Sequence, residues 1–434
     1  MFLFKRMLKN KWNEKFLKNP IFYNILLLAS GSSIGKVLGI IAMPIITRLY
    51  LPEHFGILSI FVATTGLLSP FGTLLYSAAI PLPLDGKTGI NLAALCFVIL
   101  SVCSLLVTLI LYFFGETIFI HLSIQPLLPY WWLLIIATIG VGSYEILSAW
   151  AIRERNFKAL AKTSLSQSIS GSLAKIGLGI LGLKPSGLLI GHILTQAGGI
   201  LSLAMTFAQQ FRANFKYISK NQLFFLLKEY IDYPIFRLPS QFLLIFSTQA
   251  PLFFSTFLFG TETTGQVGLA ITTLALPINI IGQSVGKAYY GEISRIGKKK
   301  PSEIYELTKK TIKHLLLVSL FPFIILLFGG PLLFEIAFGD QWHDAGEFAS
   351  VLSVYLVFQF ISSPLVNVLN VFEKQGLFLK INIARFILTL FVFGVSFTFC
   401  FSANRMIGLY SLVLSLHYFL TSLLILTTIR KSIR

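Results

Sequence analysis

The chain has 434 residues, of which 55% are hydrophobic and only 12% are charged, and its formal net charge is +18. About a quarter of the residues of an ordinary soluble domain are charged, so this composition excludes a soluble protein and indicates a membrane protein. The cations are dispersed over short loops and are not gathered on one soluble domain, which argues against nucleic-acid binding. Anionic membrane lipids are their expected partners.

The first 20 residues, MFLFKRMLKNKWNEKFLKNP, are basic and amphipathic. This pattern predicts a helix that lies on the cytoplasmic face of the membrane. The alternative is the start of a cleaved signal peptide, but apolar sequence continues past Lys36 without a small-residue cleavage site. We therefore interpret residues 1–20 as a cytoplasmic segment of the mature protein.

Twelve apolar stretches follow, each long enough to cross a hydrocarbon core about 30 Å thick. They cover residues 21–46, 55–80, 90–114, 127–151, 164–182, 186–207, 233–260, 264–286, 312–333, 346–370, 376–400 and 405–429. The predicted fold class is an all-α integral membrane protein with about 12 transmembrane helices. The predicted organisation is a six-helix lobe at 21–207, a cytoplasmic linker at 208–232, a second six-helix lobe at 233–429 and a cytoplasmic tail at 430–434.

The distribution of cations predicts the orientation of these spans. Of the 35 lysines and arginines, 28 fall in the N-terminal segment, in every second loop or, as Lys313 and Lys380, in the first residues of the span that follows such a loop, whereas the opposite loops hold Arg48, Lys184 and Arg405. Loops rich in lysine and arginine stay in the cytoplasm. The sequence therefore predicts a multi-pass protein of the bacterial cytoplasmic (inner) membrane, with both termini in the cytoplasm.

A faint internal repeat relates the two predicted lobes. Around the first outer loop the chain has Pro44, Glu53 and Gly56, and around the fourth it has Pro251, Glu262 and Gly265, which lie 207 to 209 positions later. Two six-helix halves related by an axis along the membrane normal would give this pattern. The repeat favours two lobes around a central cavity.

Four other cations lie inside the predicted spans, at Lys36, Lys175, Arg237 and Arg385. A cation at the centre of a membrane helix costs about 2.5–3.5 kcal/mol on insertion scales, so each should face protein or water. Polar side chains share the faces of several spans, and we expect them to line the same interior: Gln241, Asn279, Gln283, Gln359 and Asn367. Together they predict a polar, cationic cavity suited to an anionic ligand.

The alternative is a structural role, in which these cations extend to the membrane surface or cap helix carbonyls. Glu145 is the clearest acid inside a span. If the cations are structural, Glu145 would form an ion pair with one of them. Otherwise Glu145 is the candidate site for proton or Na⁺ coupling.

Motifs for covalent chemistry are missing from the sequence. The chain has no GxxxxGK[ST] loop and no GxSxG motif, its three cysteines form no CxxC pair, and its six histidines have no metal-ligand spacing. We therefore predict no catalytic residue, no cofactor and no metal site. The outer loops are too short to hold the catalytic groups expected of a membrane glycan polymerase.

Residues 28–83 carry a family resemblance, which is most diagnostic in ITRLYLPEHFG and in the AIPLP that ends the stretch. This segment resembles the Wzx-like oligosaccharide flippases of the MOP (multidrug/oligosaccharidyl-lipid/polysaccharide) exporter superfamily. Further along, RERNFKAL at 153–160 is similar to the basic loop that these flippases have after the fourth span. The resemblance implies two six-helix lobes, a V-shaped cavity and translocation of a polyprenyl-diphosphate-linked oligosaccharide, for surface polysaccharide or O-antigen synthesis.

The resemblance also implies cations in the cavity, for which Lys36, Lys175, Arg237 and Arg385 are the candidates. The expected partners are a lipid-linked oligosaccharide, a coupling ion and polysaccharide polymerase or assembly proteins. Two other functions remain open. One is a cation-coupled multidrug exporter of the same superfamily, although its organic-cation substrates favour buried carboxylates over four buried cations. The other is a membrane glycan polymerase.

Overall fold

The computed structural model describes residues 20–83 and 85–433, which are almost entirely helical and contain no β-strand. The predicted segment 1–20 lies outside the described residues except for Pro20. The helices are α1 Pro20–Leu49, α2 Pro52–Thr73, α3 Gly86–His121, α4 Trp131–Arg153, α5 Phe157–Ile180, α6 Ser186–Ala197, α7 Ile200–Asn214, α8 Lys220–Glu229, α9 Leu238–Pro277, α10 Gln283–Ile296, α11 Pro301–Phe338, α12 His343–Leu365, α13 Val368–Val371, α14 Gln375–Thr398 and α15 Ala403–Lys431.

These helices confirm the predicted fold class. Each of the twelve predicted spans coincides with helical structure, and nine helical stretches of the described chain are long and apolar enough to cross a membrane. The main differences in how the spans are divided occur in three places. The second span ends at Thr73 and continues as a short 3₁₀ helix, Tyr76–Ala79, and the sixth span is divided between α6 and α7. The seventh and eighth spans are joined in α9, and the eighth continues past Pro277 through a π-helical turn, Ile278–Gly282, into α10.

A glycine separates those two spans within α9. Gly260 has φ 84° and ψ −176°, which breaks the helix between its two membrane segments. Glycine reaches this region of backbone space without the steric cost that a Cβ would bring. The chain can therefore reverse direction at Gly260 with almost no loop, which is why an apolar sequence that continues through this region still forms two spans.

The two halves of the chain are packed together on one side of the molecule and separate on the other. One hydrophobic cluster mixes both halves, joining Tyr50 and Phe55 to Trp342, Phe348 and their neighbours. At the other side, one cluster contains only residues from 74 to 233, and another contains only residues from 278 to 429. The halves therefore diverge towards the second side, as two lobes of a V would.

The glycines of the internal repeat form the contact between the halves. A methyl group added at Gly56 would lie 1.9 Å from the carbonyl oxygen of Thr261, and one added at Gly265 would lie 1.8 Å from that of Pro52. The two contacts are reciprocal, since Thr261 follows Pro52 by the same number of positions as Gly265 follows Gly56. α2 and the second segment of α9 therefore cross at a pseudo-twofold axis, where their backbones touch.

The start of the first helix and the end of the last helix lie together at the divergent side. Near the end of α1, Arg48 contacts the end of α11, and at the start of α15, Asn404 donates a hydrogen bond of 2.8 Å to Glu347 near the start of α12. The end of α1 and the start of α15 therefore share one side, which we call the opposite side. The start of α1 and the end of α15 share the other, which we call the terminal side.

This arrangement makes a labelling prediction. Cysteines introduced at the exposed positions Lys299 and Asp344 should react with a membrane-impermeant reagent from different sides of the membrane, since one lies on each side of α11. The exposed native cysteine, Cys400, would first be replaced by serine. Labelling of both introduced cysteines from one side in intact cells would contradict the topology.

Candidate functional site

A polar cavity lies between the halves, within the membrane region and towards the terminal side. Its volume is about 310 Å³, and α2, α4 and α6 of the first half and α9 of the second half line it. We call it the central cavity, and its polar lining residues are Thr65, Ser69, Glu145, His192, Gln196, Gln241 and Gln249. These groups offer hydrogen bonds and one carboxyl group to a ligand in an otherwise apolar region.

Glu145 is held in this cavity by the irregular end of α2. Ser77, which is fully buried, donates a hydrogen bond of 2.6 Å to Glu145 Oε1, and Thr73 lies 3.1 Å from the Ser77 hydroxyl. The chain reaches Ser77 through Leu74 and Leu75, which both have left-handed backbone angles, with φ 47° and 60°. Such angles cost about 1–3 kcal/mol each and persist only where the surroundings hold them. The turn therefore places a hydroxyl donor on the carboxyl group.

A second cavity continues from the first towards the terminal side. It has a volume of about 660 Å³ and shares Gln241 with the central cavity, and we call it the terminal-side cavity. Its lining is partly polar and partly apolar. The polar lining residues are Asp232, Arg237, Ser240 and Gln241, and the apolar ones are Phe236, Leu244, Phe378 and Leu379, with Tyr233 between the two classes.

Arg237 reaches the terminal-side cavity from an irregular helical turn. Residues Tyr233–Arg237 form a π-helical turn before α9, and the Arg237 guanidinium lies 5.4 Å from the centre of the Tyr233 ring. Arg237 itself is exposed. Turns of this type are uncommon and often occur at functional sites. The turn places the cation at the wall of the cavity instead of on the lipid-facing side.

The other three predicted cations lie in different surroundings. Among the described side chains, Arg237 is the one of the four that lines either cavity. Lys36 is half-buried on α1. Lys175 is half-buried on α5, where its side chain packs so closely on Gly191 that an added methyl group there would lie 2.3 Å from Lys175 Cγ. The next residue, His192, lines the central cavity.

Arg385 is buried inside the second half, with 7% of its surface exposed. Its guanidinium donates hydrogen bonds to the Tyr418 hydroxyl at 3.1 Å and to the carbonyl oxygen of Leu244 at 3.2 Å, while its Nε has no partner among the described residues. Tyr355 and Tyr410 surround the same charge. Arg385 therefore ties α14 to α15 and to α9, whose Leu244 lines the terminal-side cavity.

The predicted polar residues also divide between cavity and structure. Gln241 lines both cavities. Gln359 lies 3.5 Å from the Tyr418 hydroxyl, in the group around Arg385, and Asn367 donates a hydrogen bond to the carbonyl oxygen of Pro364 at the end of α12. The side chains of Asn279 and Gln283 lie outside the described part of the structure. No cluster of three metal-binding side chains occurs in the described residues.

The cavities are closed at the opposite side by hydrogen bonds between the halves, which the sequence did not predict. The side chain of Gln341 donates to the carbonyl oxygens of Thr47 at 2.8 Å and of Tyr50 at 3.3 Å, and the indole of Trp342 donates to Thr47 at 3.1 Å. The last carbonyl groups of a helix have no partner within it. The second half therefore caps the end of α1.

The reverse contact caps a helix of the second half. Arg48 donates to the carbonyl oxygens of Ala337 at 3.1 Å and of Ile336 at 3.2 Å, which end α11. Trp342 is fully buried, with its ring 4.8 Å from that of Phe55. We call Arg48, Gln341 and Trp342 the opposite-side lock. The one hint in the sequence was Arg48 itself, one of the three cations in the loops that hold few of them.

Comparisons with known proteins agree with this geometry. Residues 45–347 match the sequence profile of a family described as polysaccharide biosynthesis protein. The chain belongs to that family. The match covers α2 to α11 completely and includes the central cavity and the opposite-side lock. No curated protein matches the chain.

Solved structures with the same fold are transporters. An inward-facing multidrug resistance MATE family transporter of the MOP superfamily has 16% identity and a TM-score of 0.64, and the match covers 91% of this chain and 94% of that one. The lipid II flippase MurJ, in an inward closed conformation, has 13% identity and a TM-score of 0.66, with 93% and 87% covered. A Vibrio cholerae MATE transporter has 15% identity and a TM-score of 0.60, with 94% and 96% covered.

The family match overlaps residues 28–83, which carry the resemblance, and the matched structures confirm the predicted all-α membrane fold. Because nine helices of the described chain are long and apolar enough to cross a membrane, the chain is a multi-pass membrane protein.

Proposed function

We propose that this chain is a flippase that carries a polyprenyl-diphosphate-linked oligosaccharide across the bacterial cytoplasmic membrane, for synthesis of a surface polysaccharide such as O-antigen. The observation that carries this proposal is the mixed lining of the terminal-side cavity. Arg237 and Ser240 face the same space as Phe236, Phe378 and Leu379. A diphosphate with a prenyl chain needs both kinds of surface at the membrane boundary, and a free sugar or a soluble ion does not.

In this proposal the substrate enters from the cytoplasm. The diphosphate binds first at Arg237, because a guanidinium offers paired donors to phosphate oxygens. The glycan then occupies the central cavity, where Gln196, Gln241 and Gln249 can exchange hydrogen bonds with sugar hydroxyls. The prenyl chain stays in the lipid, so that only the polar headgroup needs a protein path. Lys36, Lys175 and Arg385 remain candidate contributors to the positive potential of that path.

Rocking of the two lobes, residues 21–207 and 233–429, would then expose the cavity to the other side. The opposite-side lock keeps the present conformation closed there, and its opening is the step that releases the headgroup outwards. The linker at 208–232 and both termini stay in the cytoplasm. Polymerase or assembly proteins would then receive the substrate at the outer leaflet.

Deletion of the gene in its host tests this proposal. Lipid-linked oligosaccharide should accumulate in the cytoplasmic leaflet with its sugars fully assembled, and export should return when the gene is restored. Assembled intermediate on the outer leaflet would overturn the flippase proposal, because translocation would then have occurred without this chain.

The second candidate is a cation-coupled multidrug exporter. It is favoured by one observation, the Glu145 carboxyl group in the central cavity, which could attract an organic cation. Drug sensitivity of the deletion strain separates the two candidates. A flippase predicts unchanged sensitivity, whereas an exporter predicts increased sensitivity with normal oligosaccharide export.

Arg237 should contribute directly to headgroup binding. Replacing Arg237 by alanine should weaken binding of the lipid-linked substrate to purified protein by about tenfold or more, since a hydrogen bond to a charged group is worth about 1.5–3 kcal/mol. Replacing it by lysine should keep part of the affinity. Arg212, an exposed arginine of α7 outside both cavity linings, provides the matched alanine control. Equal affinity of the Arg237 and Arg212 variants would remove Arg237 from the site.

Glu145 is proposed as the site of H⁺ or Na⁺ coupling. A Glu145→Gln variant keeps the size of the side chain and can still accept the hydrogen bond from Ser77, but it cannot become charged. We expect export to fall by about tenfold or more, a change of about 1.4 kcal/mol, with unchanged protein abundance. Glu116→Gln, at an exposed glutamate near the far end of α3, is the control. Normal export by the Glu145 variant would exclude this carboxyl group from coupling.

A further inference from the structure

The segment that joins the two halves bears lysines and exposed aromatic rings on one surface. We call it the linker surface, and it consists of Phe215, Lys216, Lys220, Phe224, Phe225 and Lys228. The three phenylalanines are 71%, 57% and 58% exposed, and the lysines are also exposed. The sequence from residue 205 to residue 228 contains no acidic residue. Large apolar side chains grouped on an exposed surface mark a site that meets another protein or a membrane.

The other face of this segment is fixed to the first half. Leu226 is 1% exposed and packs in the cluster formed with α3 and α4. Asn91 of α3 donates to the carbonyl oxygen of Tyr217 at 2.9 Å and accepts from the Ser219 backbone at 3.0 Å, and the Tyr76 hydroxyl donates to the carbonyl oxygen of Leu227 at 2.8 Å. α8 therefore cannot rotate to bury its phenylalanines, and their exposure is built into the fold.

Further charge lies beside the same surface. The ammonium groups of Lys87 and Lys216 lie 4.8 Å and 5.3 Å from the centre of the Tyr217 ring. The nearby carboxylate of Asp85 caps α3, where it accepts from the Thr88 backbone at 2.6 Å, and this bond holds the pKa of Asp85 below its usual value, so that Asp85 adds one negative charge beside the four lysines Lys87, Lys216, Lys220 and Lys228. The linker surface is therefore positive as well as apolar.

We propose that the linker surface binds the anionic phospholipid headgroups of the adjacent membrane leaflet. The segment lies between α7 and α9, which both enter the membrane, so its exposed face meets the bilayer boundary. Phe224 and Phe225 insert below the headgroups, and the lysines contact the phosphates, as in helices that lie in the membrane interface. Each lysine in contact contributes about a fivefold preference for anionic over zwitterionic lipid. The proposal does not depend on which substrate is carried.

The position of the surface connects it to the site. Tyr76, which holds α8, belongs to the same short helix as Ser77, the donor to Glu145. The segment that binds the leaflet is thus fixed to the turn that borders the central cavity.

Quenching of a fluorophore by brominated lipid tests the proposal on the full chain. A Phe224→Cys variant, with Cys103 and Cys400 replaced by serine, is labelled with a small fluorophore and reconstituted in vesicles of equal phosphatidylcholine and phosphatidylglycerol. Bromine is carried by one lipid or by the other. Brominated phosphatidylglycerol should quench several times more strongly than brominated phosphatidylcholine, and added salt should reduce the difference.

Two comparisons complete the experiment. A label at Leu122→Cys, an exposed apolar position at the opposite side, should be quenched equally by both lipids. Replacing Lys216, Lys220 and Lys228 by glutamine should bring the Phe224→Cys ratio down to the same value. Equal quenching by the two lipids with the lysines present, a preference that salt does not change, or no quenching by either lipid would each overturn the proposal. The ratio of quenching by the two lipids and its dependence on salt are both measured with the lysines present, so a misfolded glutamine variant does not weaken the test.

Discussion

Replacing Gly265 by alanine should sharply reduce the yield and the thermal stability of the folded protein. The added methyl group would lie 1.8 Å from the carbonyl oxygen of Pro52 and 2.9 Å from the backbone nitrogen of Gly56. Because these are backbone atoms, they cannot move without shifting α2, and overpacking of this kind costs about 1–3 kcal/mol or more. We expect the midpoint of thermal unfolding in detergent to fall clearly, and Gly56→Ala to have the same effect.

A second glycine provides the matched control. Gly394 lies in α14, and a methyl group added there would have no neighbour within 4 Å. Alanine is favoured over glycine inside a helix by roughly 0.5–1 kcal/mol, so Gly394→Ala should leave stability unchanged or raise it. The two substitutions are chemically identical and should have opposite signs. Equal stability of the two variants would mean that the halves do not cross at Gly56 and Gly265.

Weakening the opposite-side lock should open the molecule at that side without unfolding it. The double variant Gln341→Leu, Trp342→Phe removes three hydrogen bonds to Thr47 and Tyr50 and keeps most of the apolar volume. At about 1 kcal/mol each, the change should shift the balance between closed and open conformations by about a hundredfold. Spin labels at the exposed positions Gln125 and Ser402, one on each half, should then show a longer distance by pulsed electron paramagnetic resonance.

The control for the lock is Gln209→Leu, which changes an exposed glutamine of α7 at the terminal side. It should leave the distance between the labels unchanged. An unaltered distance in the double variant as well, with the protein folded, would show that these hydrogen bonds do not determine which side is closed.

The spans could be predicted because their physical causes are local. A run of apolar residues about 20 long must be buried in lipid whatever its neighbours are, and all twelve such runs are helical in the structure. The repeat that includes Gly56 and Gly265 was visible because two helices can touch only where both lack side chains. Here a pattern in the sequence recorded a contact between residues some 200 positions apart.

The arrangement of the polar groups could not be predicted in the same way. Arg237 and Arg385 look alike in the sequence, each inside an apolar span with polar residues on one face. The structure places Arg237 at a cavity wall and buries Arg385 among tyrosines. The difference depends on how α9, α14 and α15 pack, and helical spacing does not record it. Whether these cations bind substrate therefore stays a prediction.

The hydrogen bonds of the opposite-side lock and the hydrogen bond from Ser77 to Glu145 could not be predicted from the sequence either. Gln341 and Trp342 bond to backbone carbonyl oxygens of α1, and a carbonyl oxygen gives no signal in the sequence because every residue has one. Ser77 reaches Glu145 only because two leucines adopt left-handed backbone angles that leucine rarely takes. Both features arise from tertiary packing that overrides local preference.

Translocation by the purified chain in vesicles tests the proposed function most directly. A polyprenyl-diphosphate oligosaccharide with a fluorescent sugar is placed in both leaflets, and a membrane-impermeant quencher is added outside. Protein-free vesicles should lose the outer fraction of the signal, and vesicles with the chain should lose further signal over time, more slowly with Arg237→Ala. Retention of the inner fraction by vesicles that contain folded protein, with uptake of an organic cation in its place, would contradict the flippase proposal and favour the exporter.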